Sequence, residues 1–574
     1  MRIGLNMSLT GAGSVSPLAL YAVLGIKPEL VFDFDANQYF VNSERSTFSD
    51  SITHSRASTA TYVDSTGTLQ TAGINEPRIG HHIYNGSAWV NEGLLHESEA
   101  RTNLVPYSEI TIANWSGSAT ITDGAATDPT GNSNAAKITE TATLQNHAVS
   151  SGNATIVSGA VTGSAFLKAG ERRYARIRLD QTSAQLRSWF DLQEGTITHE
   201  DLVGSSTITP VGNGWYRCTV TELANTASSP WARVQLFVQS ASGNQTTYTG
   251  DGTSGLYVYG AQLEAGSTPS SYIPTSGSTA TRAAETLTVP AANMPWPTPN
   301  VIGDELVTNG TFDSGISGWT DASSGTSSFT ASSGRGLLTV VGADRARARQ
   351  SFSVTVGKIY RVSFEVFDVI DVNIGHSVDA STEYRAGAAS VGTNVILFVA
   401  VASTVYFQFH HVVAGTREFD NVSVREIDPL AVSIQMDGRM AYADEGASTE
   451  VRFWRWRADS SNQILSRIDA SGSLVGRYIT QQTASGTYDQ ATDAGTEAYA
   501  PGINVPFNIA SRHGSTFINA AADGTSYVAN TTPVALPDLS ATNFELGHDY
   551  IGTIKQLRVW PEDLTDAGIE EAST

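Results

Sequence analysis

The chain has little that reacts. Of its 574 residues only one is cysteine, Cys218. No intramolecular disulfide and no cysteine-built metal site can form. Cys218 sits in "WYRCTV" and reads as a small strand residue. Lysine is nearly as scarce: of 34 basic residues only Lys27, Lys137, Lys168, Lys358 and Lys555 are Lys, and the rest are Arg. Arg tolerates partly buried, bidentate pairing better than Lys, which points weakly to packed interfaces. Acidic residues number 56, the net charge is −22, and no basic cluster stands out. A nucleic-acid binder needs a basic face, so nucleic acid is excluded as a partner. No apolar run approaches the length of a membrane span, so no membrane insertion is expected. Nucleophile elbows of the G-x-S-x-G type, H-E-x-x-H zinc helices and phosphate loops are absent too.

What is present is the material of sheets. The composition is 40% apolar and only 16% charged, with 52 glycines, which fits many short strands joined by tight turns. A chain this long exceeds one core and implies roughly three or four domains. The expected fold class is all-β: tandem antiparallel β-sandwiches of jelly-roll and concanavalin A-like type, with a short helix at each end.

Residues 1–28 form the first segment. "SPLALYAVLG" predicts a brief helix with Ser16 as N-cap, Pro17 in the first position and Gly25 as terminator. Leu18, Leu20, Tyr21, Val23 and Leu24 are apolar on almost every side, so something must cover them, either the first domain or another protein. In "LVFDFDANQYFV" the acids Asp33 and Asp35 with Asn37 and Glu44 fall at calcium-loop spacing, but Gln38 stands where the sharp turn needs Gly, and the strand reading wins. Residues 29–102 are turn-dense and expected to pack on the first sandwich. His81, His82 and His96 there read as satisfied loop or edge histidines.

Strands then recur at short intervals over 103–281, including "RSWFDLQ" and "GLYVYGAQLE", as in one jelly roll. The plan repeats over 301–430: "ELVTNGTFDSGISGW" echoes "NLVPYSEITIANW", and "EFDNVSVREI" echoes "YVYGAQLEAG". These are two divergent copies of one module, with Trp115 and Trp319 in equivalent packing positions. Residues 282–300 and 431–574 make a further sandwich that the second jelly roll interrupts, ending in the short helix of "LTDAGIEEAS".

Two blocks carry a resemblance. "SRASTATYVDSTGTLQTAGINEPRIGHH…GLLHESEARTNLVPYSE" and "YVYGAQLEAGSTPSSYIPTSGSTATRAAE" resemble recurrent joints of tailed-bacteriophage virion fibre and tail proteins. In that family the joint links a carbohydrate-binding-module-like jelly roll to a concanavalin A-like (laminin-G-like) sandwich. The insert resembles cellulose- and xylan-binding jelly rolls, and "FWRWRADSSNQIL…GTIKQLRVW" is similar to laminin-G-like endings. The resemblance implies a tail, baseplate or head fibre that binds host-surface polysaccharide without cleaving it. It implies attachment to other virion proteins through residues 1–28, and a homotrimer by analogy with other fibres. It also implies a structural calcium near Asp420 and Asn421, and no other cofactor. The alternatives are a capsid or baseplate protein without sugar contact, and a polysaccharide depolymerase.

The candidate sugar-binding side chains are aromatic, because pyranose faces stack on flat rings while amides and Arg take the hydroxyls. Trp454 and Trp456 lie two apart and so share a strand face, which is either core or an outward platform. Trp189 and Trp231 are similar candidates in the first module. Tyr406, Gln408 and His410 alternate along one face of "VYFQFHHV". For catalysis, Glu426-Ile427-Asp428 begins an E-x-D-x-E pattern, but the third acid is missing. No catalytic residue is expected.

Overall fold

The computed structural model describes every residue except 1–16, 157–158, 182–184, 202–203, 226–230, 244, 298–300, 379–383, 429, 441–449, 470–476 and 493–503. Strands dominate, all paired antiparallel, and helices are short. The chain divides into two compact units: residues 297–431 with 514–516, and the remainder.

The smaller unit is a two-sheet jelly roll. One sheet runs in the order Thr320–Asp321, Ala346–Ser353, Thr404–His411, Ile370–Gly375, Ala388–Ala389. The other runs Ser328–Ser332, Arg335–Val340, Gly415–Ile427, Ile359–Val366, Gly392–Val399. In "IYRVSFEV" (Ile359–Val366) burial alternates after Tyr360, with Val362, Phe364 and Val366 in the core and Arg361, Ser363 and Glu365 on the outer face. Phe409 and Phe419 face each other across the sandwich with ring centroids 3.9 Å apart.

The larger unit holds the first jelly roll, and its strand order matches. One sheet runs Ser116–Gly117, His147–Ser150, Trp231–Gln239, Tyr174–Gln181, Gln185–Asp191 and adds Thr196–Asp201. The other runs Thr120–Ala126, Ala135–Thr139, Gly255–Ala265, Gly159–Ala169, Trp215–Asn225 and adds Gly204–Pro210. Position by position these are the same sandwich, with one added strand on the second sheet and two on the first, where Ala154–Thr155 also pairs with Trp231–Gln239. Trp115 and Trp319 hold equivalent posts: both are buried, and each indole N–H donates to a backbone carbonyl just upstream, Tyr107 at 3.0 Å and Asn309 at 3.2 Å.

The remaining sandwich is assembled from distant pieces. Ile551–Trp560 pairs with Ala431–Met440 on one side, and on the other with Leu30–Asp33 and Leu94–Glu97. The opposing sheet begins Thr53–Ser55, Thr286–Val289, Phe544–His548, Val451–Asp459. This corrects the expectation for residues 29–102. Most of their strands complete the C-terminal sandwich. The hairpin Ala60–Val63 and Leu69–Ala72 packs on the first jelly roll, where Val63 and Leu69 meet Phe166, Trp215 and Tyr259 with Trp89 against them.

Pro17–Tyr21 is one turn of 3-10 helix, and its apolar side chains are largely spent on their own sandwich. Leu18 and Tyr21 pack on Val31 and Phe40, and Val23 packs with Trp560 and Ile569. The Tyr21 hydroxyl donates to Asp33 at 3.0 Å, and the Trp560 indole donates to the Ile26 carbonyl at 3.2 Å. Of Leu18, Leu20, Tyr21, Val23 and Leu24, only Leu20 and Leu24 stay exposed.

Candidate functional site

The stretch 260–285 ends in a buried ion cluster, to which it brings Arg282 and Glu285 as charges and Ser271 as donor. Glu285 accepts from Arg56 Nη1 at 2.5 Å, from Arg78 Nη2 at 2.7 Å and Nε at 3.1 Å, and from the Glu97 backbone N–H at 2.8 Å. Glu97 in turn faces Arg78 at 2.8 Å and Arg282 at 3.0 Å, and accepts from the Ser271 N–H and hydroxyl at 2.8 and 2.6 Å. All five charged side chains are buried. Burial alone would raise the Glu97 carboxyl, but Arg282 and Arg78 outweigh it and hold it at about 2. The same opposition, with Arg78 foremost, keeps Glu285 well below the usual carboxylate range. His96, also buried, is pushed down to about 4 by desolvation despite Glu285 nearby, so it is neutral at pH 7. Each motif block of the joint supplies charges to this cluster: Arg56 from "SRAS", Arg78 from "EPRIG", Glu97 from "HESEA", Arg282 and Glu285 from "TRAAE". The chain turns into it at Gly266, where φ is +129° and a Cβ would sit 1.4 Å from Arg101 Nη1.

Above this cluster opens a cleft of about 580 Å³. Glu97, Ser270 and Ser271 form part of its wall. The hairpin His82–Tyr84 and Trp89–Asn91 contributes Tyr84 and Trp89, whose rings lie 5.5 Å apart. The strands Gly204–Pro210 and Trp215–Asn225 contribute a row of hydroxyls at Ser205, Thr207, Thr219 and Thr221. Gly67 fixes the aromatic side: at φ +79° a Cβ there would fall 2.2 Å from the Trp89 ring and 2.8 Å from Gly212 Cα. His81 Nδ1 accepts from the Val63 N–H at 3.1 Å, which leaves its Nε2 as the N–H donor. Burial, with Arg78 adding to it, lowers His81 to about 3, so the ring stays neutral. His82 is the complement: its Nδ1 lies 2.7 Å from the Gly80 carbonyl and donates to it, leaving Nε2 as acceptor. The cationic heads at the cleft are already engaged. Arg439 pairs with Glu92 at 2.9 Å, and Arg217 donates to the Ser270 carbonyl at 2.6 Å and to Ser164 at 3.1 Å. The result is a neutral, hydroxyl-rich cleft with an aromatic wall.

The sequence-predicted aromatic candidates lie elsewhere. A bulge between Arg452 and Trp454 breaks the strand's alternation, so that Phe453, Trp454 and Trp456 all enter the core. Trp454 stacks on Phe544 at 5.7 Å, and the Trp456 indole donates to the Thr542 carbonyl at 3.1 Å. Neither forms a platform. Trp189 is buried too, with its indole on the Gln245 carbonyl and His199 against its ring. Trp231 is half-buried with Arg233 over its ring at 5.8 Å.

In the second jelly roll Gln408 and His410 do share a face, opposite Arg349 and Arg347 on one neighbour and Asn373 and Asp371 on the other. Gln408 is buried there and Arg349 donates to the Val378 carbonyl at 3.0 Å, so the face is partly covered. Glu426 sits in that module's strand Gly415–Ile427, 3.3 Å from Lys358, and belongs to a surface pair. Asp420 accepts the Asn421 backbone N–H at 2.7 Å, and the Asn421 amide donates to Glu365 at 3.1 Å. Among the described residues no three His, Cys, Asp or Glu side chains converge as a metal would require.

No family model matches the chain, and no curated protein does. Solved structures do. A CBM4 module shares 20% identity over 21% of this chain and 99% of its own, with a TM-score of 0.18. The CBM40 module of a Ruminococcus gnavus IT-sialidase, bound to α2,6-sialyllactose, shares 12% identity over 26% of this chain and 84% of its own, TM-score 0.20. Domains LG4–5 of the mouse laminin α1 chain share 10% over 70% of this chain and 83% of their own, TM-score 0.17. Scores at this level say nothing about ligands. The all-β class rests on the strands themselves.

Proposed function

We propose that this protein binds glycan without cleaving it, in the cleft between the Tyr84–Trp89 hairpin and the hydroxyl-bearing strands of the first jelly roll. The observation that carries the reading is the composition of that cleft: an aromatic edge facing neutral donors and acceptors, with Arg439 paired to Glu92 and Arg217 hydrogen-bonded to the Ser270 carbonyl. Pyranose rings fit such a surface, with the apolar face against the rings and the hydroxyls toward Thr207, Thr219 and His81. A neutral sugar is favoured over an acidic one, because Arg439 on the cleft is already paired with Glu92 and the Glu97 carboxylate forms part of the same wall. The resemblance of the joint blocks to tailed-phage proteins extends the proposal. The protein is a virion adhesin on tail, baseplate or head, taking host-surface polysaccharide through individually weak sites repeated over symmetric copies.

The test is retention of purified protein on host capsule or lipopolysaccharide, with reducing ends measured in parallel. Wild type is retained and releases no new ends. Tyr84→Ala, at a side chain with 37% exposure, lowers affinity by about tenfold, the loss of one stacking contact. Release of reducing ends would establish a depolymerase instead. Retention that survives Tyr84→Ala and Thr207→Val unchanged would remove the cleft as the site.

A further inference from the structure

The two jelly rolls share a strand order but differ at one edge. In the first, Trp215–Asn225 is covered by Gly204–Pro210, paired residue for residue from Gly204 opposite Glu222 to Pro210 opposite Tyr216. In the second, the equivalent strand Gly392–Val399 ends the sheet, and among the described residues it pairs only with Ile359–Val366. Natural edge strands are usually blunted by lysine, proline, a bulge or short length. This one runs eight residues, "GTNVILFV", with no charge and no proline. Its outer face presents Thr393, Val395 and Leu397, all exposed, with Val395 at 51% and Leu397 at 39%. Val391 and Val401 extend the apolar character past both ends, each at 62% exposure.

We propose that this edge is a self-association surface, and that its occupant is the same strand of a second copy of this chain. The charges beside it select that occupant. On the neighbouring strand Arg361 stands directly opposite Leu397, Ser363 opposite Val395, and Glu365 opposite Thr393. A two-fold axis through Val395 sets the strands antiparallel. It brings Thr393 against Leu397 of the second copy and Val395 against its own equivalent. In each such row Arg361 of one copy and Glu365 of the other flank the Leu397–Thr393 pair on its two sides. An isologous interface requires this kind of self-complementarity. Antiparallel edge pairing supplies the backbone bonds that Gly204–Pro210 supplies in the first module, and it joins the two sheets into one continuous sheet. The pairing sets the Val395–Leu397 stripes of the two copies side by side on one face of the joined sheet.

Cysteine cross-linking of the full chain tests this against a clean background, since Cys218 is buried. Val395→Cys under mild oxidation gives a disulfide-linked dimer at least about tenfold faster than Val401→Cys, because directly opposed residues lie near bridging distance. In sedimentation, wild type shows a concentration-dependent dimer, and Val395→Lys is monomeric with an unchanged melting temperature. Three results overturn the proposal: wild type that stays monomeric at high concentration, a trimer that Val395→Lys leaves intact, or equal cross-linking rates at positions 395 and 401.

Discussion

Glu285→Gln is the sharpest perturbation the structure offers. The side chain keeps its shape and loses its charge. At present two carboxylates, Glu97 and Glu285, face three guanidinium groups, Arg56, Arg78 and Arg282, all buried. The substitution leaves one carboxylate for three cations, and the new amide N–H groups point at Arg donors where an acceptor is needed. Removing one partner from a buried ion pair typically costs about 3–5 kcal/mol, because the stranded charge has no water. The upper half of that range applies here, since Glu285 accepts from two Arg side chains and a backbone N–H. At about 2 °C per kcal/mol for a unit of this size, the melting temperature of the larger unit falls by roughly 8–10 °C. Calorimetry measures it, and the smaller unit, residues 297–431 with 514–516, serves as an internal reference whose transition stays in place. Arg335→Ala, at the exposed pair with Glu418 in the smaller unit, moves that unit's own transition and calibrates the scale at about 1 kcal/mol or less. A Glu285→Gln shift no larger than that of Arg335→Ala would refute the reasoning. So would an equal shift of both transitions.

Acid should weaken the larger unit in two stages. His96 and His513 are buried and depressed by burial to about 4 and about 3, so below the ordinary value of 6.5 the unfolded chain takes up protons that the folded one refuses. Their contribution is complete above pH 6.5 and declines as pH falls; by pH 5 the two together forfeit about 4 kcal/mol. Glu97, held at about 2, adds stability that is full above about 4.5 and lost as pH drops toward 2. Urea titrations from pH 8 to pH 3 measure both stages, and a flat profile between pH 7 and 5 would contradict the burial of the imidazoles. Truncation of residues 1–28 should destabilise the fold by several kcal/mol, at about 1.5–3 kcal/mol for each of the buried Leu18, Tyr21 and Val23; an unchanged denaturation midpoint would show that their packing contributes nothing.

The fold class and the internal repeat are legible in the sequence because both are written in local pattern. Alternation in "YRVSFEV" marks a half-buried strand, and the recurrence of Trp115 and Trp319 marks a shared corner. Partnership across the chain is not local. Leu30–Asp33 pairs with Ile551–Trp560, more than 500 residues away, and no feature of residues 29–102 names that partner. Trp454 was ambiguous for a different reason. Period-two reasoning assigns Phe453 and Trp454 to opposite faces, and a one-residue bulge puts both inside. The cleft escaped because its walls come from widely separated stretches, residues 61–97, 205–221, 267–272 and 551–553 among them. One signal for the ion cluster was available, the preference for Arg over Lys: Arg56, Arg78, Arg176 and Arg282 are among the largest fully buried side chains of the molecule.

A joint held by charge has a consequence that an apolar joint would lack. Apolar packing tolerates sliding and substitution by anything of similar volume, whereas a carboxylate buried among guanidinium groups accepts one arrangement. The five charged residues come from four stretches of chain: residues 56, 78, 97 and 282–285. Joining them fixes the strand Leu94–Glu97, the start of Thr286–Val289 and the turn at Ser270–Ser271 in one register. That turn and Glu97 are also cleft wall. The cluster therefore sets the position of one side of the binding surface, while Gly67 and Trp89 set the other. Glu285 lies outside the cleft lining, yet Glu285→Gln should weaken glycan retention at temperatures where the protein is still folded, and Arg335→Ala should not. Affinity that follows stability alone, unchanged until unfolding begins, would separate the cluster from the cleft and leave it a fastening only.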